Sequence, residues 1–280
     1  MTTGSDGNWR PALALALCCG VLSGCVSGMD ALRVEPPEVR LTKAGNNAAK
    51  RGDLATAAAL YNQAHASNPS ETTALKALAT TFYRLESYHE SAEAWRSVIA
   101  AAPDDPDAFT GLGLAQLSLA RIDDARDAFV KSLTLRPQDA RTLMADGVAL
   151  DLSGRHAEAQ ARYQAALAMK PDDIAIRNNL ALSYAFAGNL DRAITLLREV
   201  ADNAKAGPRN RANLALVLIL DNKLDAAESV LSVDNVKEDV DRWIREFEAL
   251  LPLTGADLAR AVFNLDRKGG NLPAISANAG

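Results

Sequence analysis

The residue types best suited to chemistry are few in this sequence, and their spacing does not build a reactive site. The chain holds three Cys and three His, and no His has a Cys or a second His at the spacing of a zinc ligand set. The prolines beside the acidic cluster at 104–107 indicate a turn and a helix cap rather than paired catalytic carboxylates. No nucleophile elbow, zincin motif or phosphate-binding loop is present. We therefore expect a protein that is not an enzyme and that uses no metal and no cofactor.

The net charge and the composition indicate which classes of partner and fold to expect. The net charge is −5, which argues against a nucleic-acid binder that works through a general positive field. Hydrophobic residues make up 48% of the chain but aromatic residues only 5%. An apolar fraction dominated by Ala and Leu favours closely packed helices over strands. We expect a protein partner, and neither a nucleic acid nor a small-molecule substrate.

All the cysteines lie near the N-terminus, and only Cys25 stands in a processing motif. Residues 11–22 form an apolar run that is too short to span a bilayer but long enough for a signal peptide. The segment 22–25, Leu-Ser-Gly-Cys, resembles the lipobox of bacterial lipoproteins. The resemblance implies a signal peptide at 1–24, palmitate and related acyl chains on Cys25, and, with Val26 next, sorting to the periplasmic face of the outer membrane. A plain secretory signal with an incidental cysteine is the alternative.

An internal repeat organises the rest of the chain. Four prolines recur at a constant spacing of 34 residues: Pro69, Pro103, Pro137 and Pro171. A constant period of this length is the signature of a solenoid, in which each repeat is one supersecondary unit. The period defines six units, which begin at residues 38, 72, 106, 140, 174 and 208.

Alignment of the units indicates a helical hairpin in each. Positions 8 and 20 are small in every unit, and position 24 is large and apolar or aromatic. Small residues allow two helices to approach closely, and we expect the residue at position 24 to fill the gap between successive hairpins. Glycine near position 15 of three units predicts a left-handed turn residue: Gly52, Gly154 and Gly188. Aspartate at position 34 predicts the N-cap of the next helix: Asp105, Asp139 and Asp173.

Residues 38–232 resemble the tetratricopeptide repeat (TPR) family through these small and large positions and the proline at position 32. The resemblance implies an all-α fold, a right-handed α-solenoid of about six hairpins. We expect a lipid-anchored tether at 25–37, the solenoid at 38–235, and an amphipathic capping helix at 236–252. A largely disordered tail is expected at 253–280, with a short helical start after Gly255 and then an end rich in Gly, Asn and Ala.

In the TPR family, positions 5, 9, 12 and 13 of the first helix face the concave side. In units three to six these positions carry an apolar stripe, which we expect to be exposed and to form a partner-binding groove: Leu114, Leu117, Met144, Val148, Leu182, Phe186, Leu216 and Ile219. In units one and two they carry a polar end of the groove: Asn46, Lys50, Lys76 and Arg84. Packing of the stripe against the capping helix or the neighbouring helices is the alternative.

Segments 179–184 and 211–218 narrow the resemblance further. They resemble the C-terminal half of the TadD-type lipoproteins of Flp (tight adherence) pilus systems. That resemblance implies a pilotin-like role in which the protein helps a secretin to reach the outer membrane or assemble there. The alternatives are another TPR lipoprotein, such as a type IV pilus pilotin or an adaptor of peptidoglycan enzymes, a soluble periplasmic TPR protein, and an enzyme whose site the sequence does not show.

Overall fold

The computed structural model describes residues 35–204 and 206–267. The chain divides into two units, residues 1–36 and 37–280, and every described helix lies in the second unit. The predicted signal peptide, Cys25 and most of the tether lie outside the described residues. No helix within the described ranges is long and apolar enough to cross a membrane.

All regular secondary structure in the described ranges is helical. The helices are α1 (Pro37–Lys50), α2 (Leu54–Ser67), α3 (Thr73–Arg84), α4 (Tyr88–Ala101), α5 (Pro106–Ser118), α6 (Ile122–Leu135), α7 (Ala140–Leu152), α8 (His156–Met169), α9 (Ile174–Phe186), α10 (Leu190–Ala201), α11 (Pro208–Leu220), α12 (Leu224–Leu231), α13 (Lys237–Glu248) and α14 (Gly255–Arg267). The helices from α1 to α12 form consecutive hairpins, and each hairpin packs against the next. The predicted all-α solenoid is confirmed.

Local signals in the sequence place the start of the third, fourth and fifth hairpins. The side chain of Asp105 accepts a hydrogen bond from the backbone N–H of Asp107, and the side chain of Asp139 accepts from those of Arg141 and Thr142. Asp173 caps α9 in the same way. Each cap satisfies backbone donors that the first turn of a helix leaves without a partner. The predicted N-caps are therefore confirmed.

The turn inside each hairpin needs a left-handed residue. Gly154 and Gly188 have φ values of 76° and 80°, a region that glycine reaches without steric cost. The equivalent turns of other hairpins use Glu86, Ala120 and Asn222 at φ values from 56° to 59°. The chain therefore keeps the same turn geometry even where no glycine is present.

The small and large positions of the repeat meet inside one hairpin. A Cβ added at Gly45 would lie 2.6 Å from the Tyr61 ring of the same hairpin, so only glycine allows the ring this close. Trp95, at the same repeat position as Tyr61, instead lies against Gly111 of the following hairpin. The expectation that position 24 fills the gap between hairpins describes Trp95, whereas Tyr61 packs within its own hairpin.

The C-terminal region differs from the sequence-based prediction. The amphipathic segment forms α13, which packs against α11 and α12 as a capping helix should. The tail predicted from 253 begins with α14 at Gly255–Arg267, which is longer than the short helical start expected there. This helix contacts α7 and α9, far back along the chain. Residues 268–280 lie outside the described residues.

The buried apolar residues form two separate clusters. The smaller cluster lies in the first two hairpins and the start of α5, from Ala48 to Ala108. The larger cluster runs from Leu114 to Phe263 and includes residues of α13 and α14. The boundary between the clusters falls within α5.

Candidate partner-binding surface

The first helices of the six hairpins carry the positions predicted to face a partner. These helices are α1, α3, α5, α7, α9 and α11. Each contacts the second helix of its own hairpin, and those from α3 onward also contact the second helix of the hairpin before. The contacts of α3 with α5, α5 with α7 and α7 with α9 bring successive first helices side by side. Side chains at one repeat position therefore form a continuous row across the solenoid.

The four residues predicted to form the polar end of this row differ in exposure and in their contacts. Lys50 on α1 and Arg84 on α3 are exposed. Asn46 is also exposed, but its side-chain oxygen accepts a hydrogen bond of 2.7 Å from the Tyr61 hydroxyl. Lys76 is half-buried and forms an ion pair with Asp105, the N-cap of α5. Asn46 and Lys76 therefore have structural partners, whereas Lys50 and Arg84 offer positive charge at an exposed surface.

The predicted apolar stripe is buried, contrary to the expectation of an exposed groove. None of its residues exceeds 4% exposure: Leu114, Leu117, Met144, Val148, Leu182, Phe186, Leu216 and Ile219. They belong to the same cluster as the buried face of α14 and of the capping helix. The physical reason is that neighbouring helices of the solenoid pack against the stripe, that α14 adds contacts to α7 and α9, and that the capping helix α13 adds contacts to α11, so the alternative of packing against neighbouring helices is the one observed.

Helix α14 presents an apolar face to the ends of α7 and α9. Its buried residues are Leu258, Ala259, Val262 and Phe263, a spacing that places them on one side of a helix. The Arg260 guanidinium donates a hydrogen bond of 2.7 Å to the carbonyl oxygen of Leu152, the last residue of α7. The first turn of α14 approaches the α7–α8 turn, where a Cβ at Gly154 would lie 3.3 Å from the Cβ of Ala256.

A cavity of about 330 Å³ remains beside this contact. It lies between the end of α9, the end of α11 and the segment that joins α13 to α14. Thr254 lines it with a polar side chain, and the larger lining side chains are apolar: Phe186, Leu190, Leu220, Leu251, Leu253 and Leu258. The packing of α14 at its N-terminal end is therefore incomplete.

A cluster of buried polar side chains surrounds Asp151 in the last turn of α7. The Asp151 carboxylate accepts hydrogen bonds from the Ser183 hydroxyl at 2.8 Å and from the Tyr163 hydroxyl at 2.9 Å. The His156 Nδ1 lies 2.8 Å from it. Burial raises the pKa of Asp151, an effect that these hydrogen bonds partly oppose. Burial, with the nearby Asp151 charge, also raises the pKa of Tyr163 well above its ordinary value.

The residue types of this cluster resemble those of a hydrolase, but their arrangement does not. Ser183 and His156 both contact Asp151, whereas nucleophilic catalysis needs the histidine to accept the serine proton. Sequence reasoning missed Asp151, although it is the one acidic residue at position 12 of the six units. We assign it a role in joining α7, α8 and α9.

The described residues contain no group of three His, Cys, Asp or Glu side chains that could hold a metal ion. Cys25, the predicted lipidation site, lies outside the described ranges. The candidate surface is therefore the concave row, with an exposed basic part and a buried apolar part, of which α14 contacts the helices α7 and α9.

Comparison with family models and known proteins agrees with this geometry. Models described as tetratricopeptide repeat match residues 42–88, 76–140 and 152–209, which together make up more than half of the chain. The Sinorhizobium fredii protein named "Uncharacterized protein y4yS" is 33% identical over 99 residues, 35% of this chain and 54% of that protein. The chain thus spans about half the length of this curated relative.

Solved structures share the architecture at low sequence identity. A tetratricopeptide repeat protein from Parabacteroides merdae has a TM-score of 0.64 and 17% identity over 79% of this chain and 89% of its own. The pilF protein of Pseudomonas aeruginosa has a TM-score of 0.62 and 17% identity over 76% and 97%. TTC0263 of Thermus thermophilus has a TM-score of 0.56 and 24% identity over 65% and 99%. These similarities show a shared fold.

Proposed function

The chain belongs to the tetratricopeptide repeat family, and on that premise we propose that it is a non-enzymatic scaffold that binds a protein segment along its concave face. The observation that carries the proposal is the continuous row of first-helix side chains, with Lys50 and Arg84 exposed at one end. Rigid hairpins hold these side chains at a repeating distance, which suits the recognition of an extended or helical segment of another protein.

We further propose that the partner is a secretin of an Flp (tight adherence) pilus system. Support for this partner comes from the resemblance of segments 179–184 and 211–218 to TadD-type lipoproteins. Most residues of these segments are buried in α9 and α11. Their resemblance therefore concerns how the last hairpins pack, and the residues that touch the secretin are sought elsewhere on the concave face.

We also propose that acyl chains on Cys25 anchor the protein to the periplasmic face of the outer membrane. Each buried methylene of a lipid contributes about 0.8 kcal/mol to membrane binding, so that several chains anchor a protein stably. The tether between Cys25 and the start of α1 at Pro37 is short. It would hold the scaffold next to the membrane in which a secretin assembles.

Incorporation of labelled palmitate tests the anchor. Cys25→Ser should abolish labelling and release the protein from membranes or leave its precursor uncleaved. Cys19→Ser is the matched control, because Cys19 lies in the apolar run without the two small residues that precede Cys25. Equal labelling of the two variants would overturn the assignment of Cys25.

Co-isolation of the secretin from detergent-solubilised membranes tests the scaffold role. Lys50→Glu combined with Arg84→Glu reverses the charge of the exposed concave residues and should reduce secretin recovery severalfold. Lys131→Glu is the control, because Lys131 is exposed on α6, the second helix of its hairpin. Unchanged recovery with the concave variant would show that this end of the concave face is not the partner surface.

A further inference from the structure

We infer that the part of the apolar stripe on α7 and α9, which α14 contacts, is a binding site for an amphipathic helix of the partner, and that α14 is its resident occupant, displaced when the partner binds. This inference rests on the proposed scaffold function and adds the class of ligand. The structure itself shows what the stripe accepts, because a helix from the same chain lies on it.

The chemistry of α14 defines the expected ligand. Its buried face combines Leu258, Val262 and Phe263 with the small residue Ala259, which is fully buried. Its opposite face is polar, with Asp257 and Asn264 exposed. A competing helix needs apolar residues at positions i, i+4 and i+5, and a small residue at i+1 where the helices approach closely.

Arg260 adds a polar requirement to this apolar pattern. Its guanidinium reaches the carbonyl oxygen of Leu152 at the end of α7. The last carbonyl groups of a helix lack partners within the helix and attract positive charge. A partner helix that carries Arg or Lys at the equivalent position would satisfy the same carbonyl group. The expected ligand is therefore an amphipathic helix with one basic residue beside its apolar face.

Three features make α14 separable from the solenoid. It follows a non-helical segment at 249–254 and contacts the distant helices α7 and α9 rather than extending the hairpin stack. Its N-terminal end borders the cavity of about 330 Å³, so its packing there is incomplete. The six hairpins are held by contacts between neighbours that do not involve α14. Loss of α14 would uncover the stripe while these contacts remain.

Binding of a fluorescent peptide comprising residues 254–267 to the full chain tests the inference. Val262→Asp places a charge in the buried face of α14 and should release it, so that the peptide binds in its place. The unaltered chain should bind the peptide at least about tenfold more weakly, since its own α14 competes at the high effective concentration of a tethered segment. Asn264→Asp is the matched control, because it adds the same charge on the exposed face, and it should behave like the unaltered chain.

A reversible lock provides a second measurement in case Val262→Asp impairs folding. Gly154→Cys and Ala256→Cys would bring two Cβ atoms to 3.3 Å from each other, just below the range of about 3.5–4.5 Å in disulfides, so a small shift of the first turn of α14 allows the bond to form. Glu86, Ala120 and Asn222 adopt the left-handed turn of Gly154 in other hairpins, so this turn tolerates a side chain. The oxidised protein should bind no peptide, and reduction should restore the binding of the unaltered chain.

The outcomes separate this inference from the proposed function. Peptide binding that is no tighter in the Val262→Asp chain, or equal in the oxidised and reduced forms, would overturn displacement. Loss of the cooperative thermal transition in the Val262→Asp chain would also overturn it, because α14 would then be part of the obligatory core. If the locked protein still captures the secretin, the scaffold function stands and only the displacement of α14 is wrong.

Discussion

The ring of Tyr163 lies directly over Gly147, so that a Cβ added to the glycine would come within 2.5 Å of the ring. The same relationship joins Gly113 to Phe129 and Gly45 to Tyr61. In these three hairpins, a first helix without a side chain at this point receives an aromatic ring from the second helix. The distance between the two helices therefore depends on a single absent methyl group.

Gly147→Ala should destabilise the protein by about 1–3 kcal/mol, the usual cost of overpacking a filled core. Denaturant unfolding followed by circular dichroism measures the loss. Gly207→Ala is the control, because a Cβ at Gly207 meets no atom within 4 Å. A loss at Gly147 no larger than that at Gly207 would contradict the close approach of the Tyr163 ring.

Ala120→Gly should stabilise the protein by up to about 1 kcal/mol. Ala120 has φ 58°, a left-handed conformation that costs an L-residue about 1–2 kcal/mol. Glycine removes that cost, although its greater freedom in the unfolded chain takes back about 0.5–1 kcal/mol. Gly188 lies at the equivalent turn of another hairpin, with open space around it. Gly188→Ala should therefore lower the unfolding midpoint, whereas Ala120→Gly should raise it. Shifts of the same sign would argue against this account.

Asp151→Ala should cost about 3 kcal/mol of unfolding free energy. Ser183 and Tyr163 both donate to this carboxylate, and a buried donor that loses its acceptor costs about 1–3 kcal/mol. Tyr163→Phe removes one donor together with its need for an acceptor and should cost about 1 kcal/mol. Thermal unfolding of the two variants shows which one loses more stability. A smaller loss for Asp151→Ala than for Tyr163→Phe would contradict the central position of Asp151.

Asp151 should also make the stability of the protein depend on pH. Burial raises the pKa of Asp151 in the folded state, so the folded protein binds this proton more tightly than the unfolded chain does. The stability that this proton contributes is fully present below the pKa of Asp151 in the unfolded chain. It is lost as the pH rises through the pKa of Asp151 in the folded protein. Relative to Asp151→Asn, the unaltered protein should gain stability as the pH falls from 7 to 4. A difference that is constant with pH would contradict the raised pKa.

The hairpin architecture could be predicted from the sequence because its signals are local and repeat. The glycine at Gly154, the cap at Asp173 and the proline period each act within a few residues. Their agreement predicts two helices in each unit, with a left-handed turn between them and a cap before the next unit.

The cover of the apolar stripe could not be predicted in the same way. Phe186 is 4% exposed and belongs to the larger cluster, which also includes Phe263 of α14. No repeat pattern relates two residues this far apart in the chain. From the concave position alone, Phe186→Ala would leave stability unchanged. The structure instead predicts a loss of about 3–5 kcal/mol, as for other buried phenylalanines.

The contact of α14 with α7 and α9 changes how the solenoid responds to partial unfolding. A simple repeat array opens and closes one neighbour at a time, but the bond from Arg260 to Leu152 closes a loop of more than a hundred residues. While α14 stays in place, this long-range contact protects the hairpins of the larger cluster, whereas the first two hairpins in the smaller cluster can fray on their own. Native-state hydrogen exchange should accordingly divide the backbone amides into two levels of protection, with the step within α5.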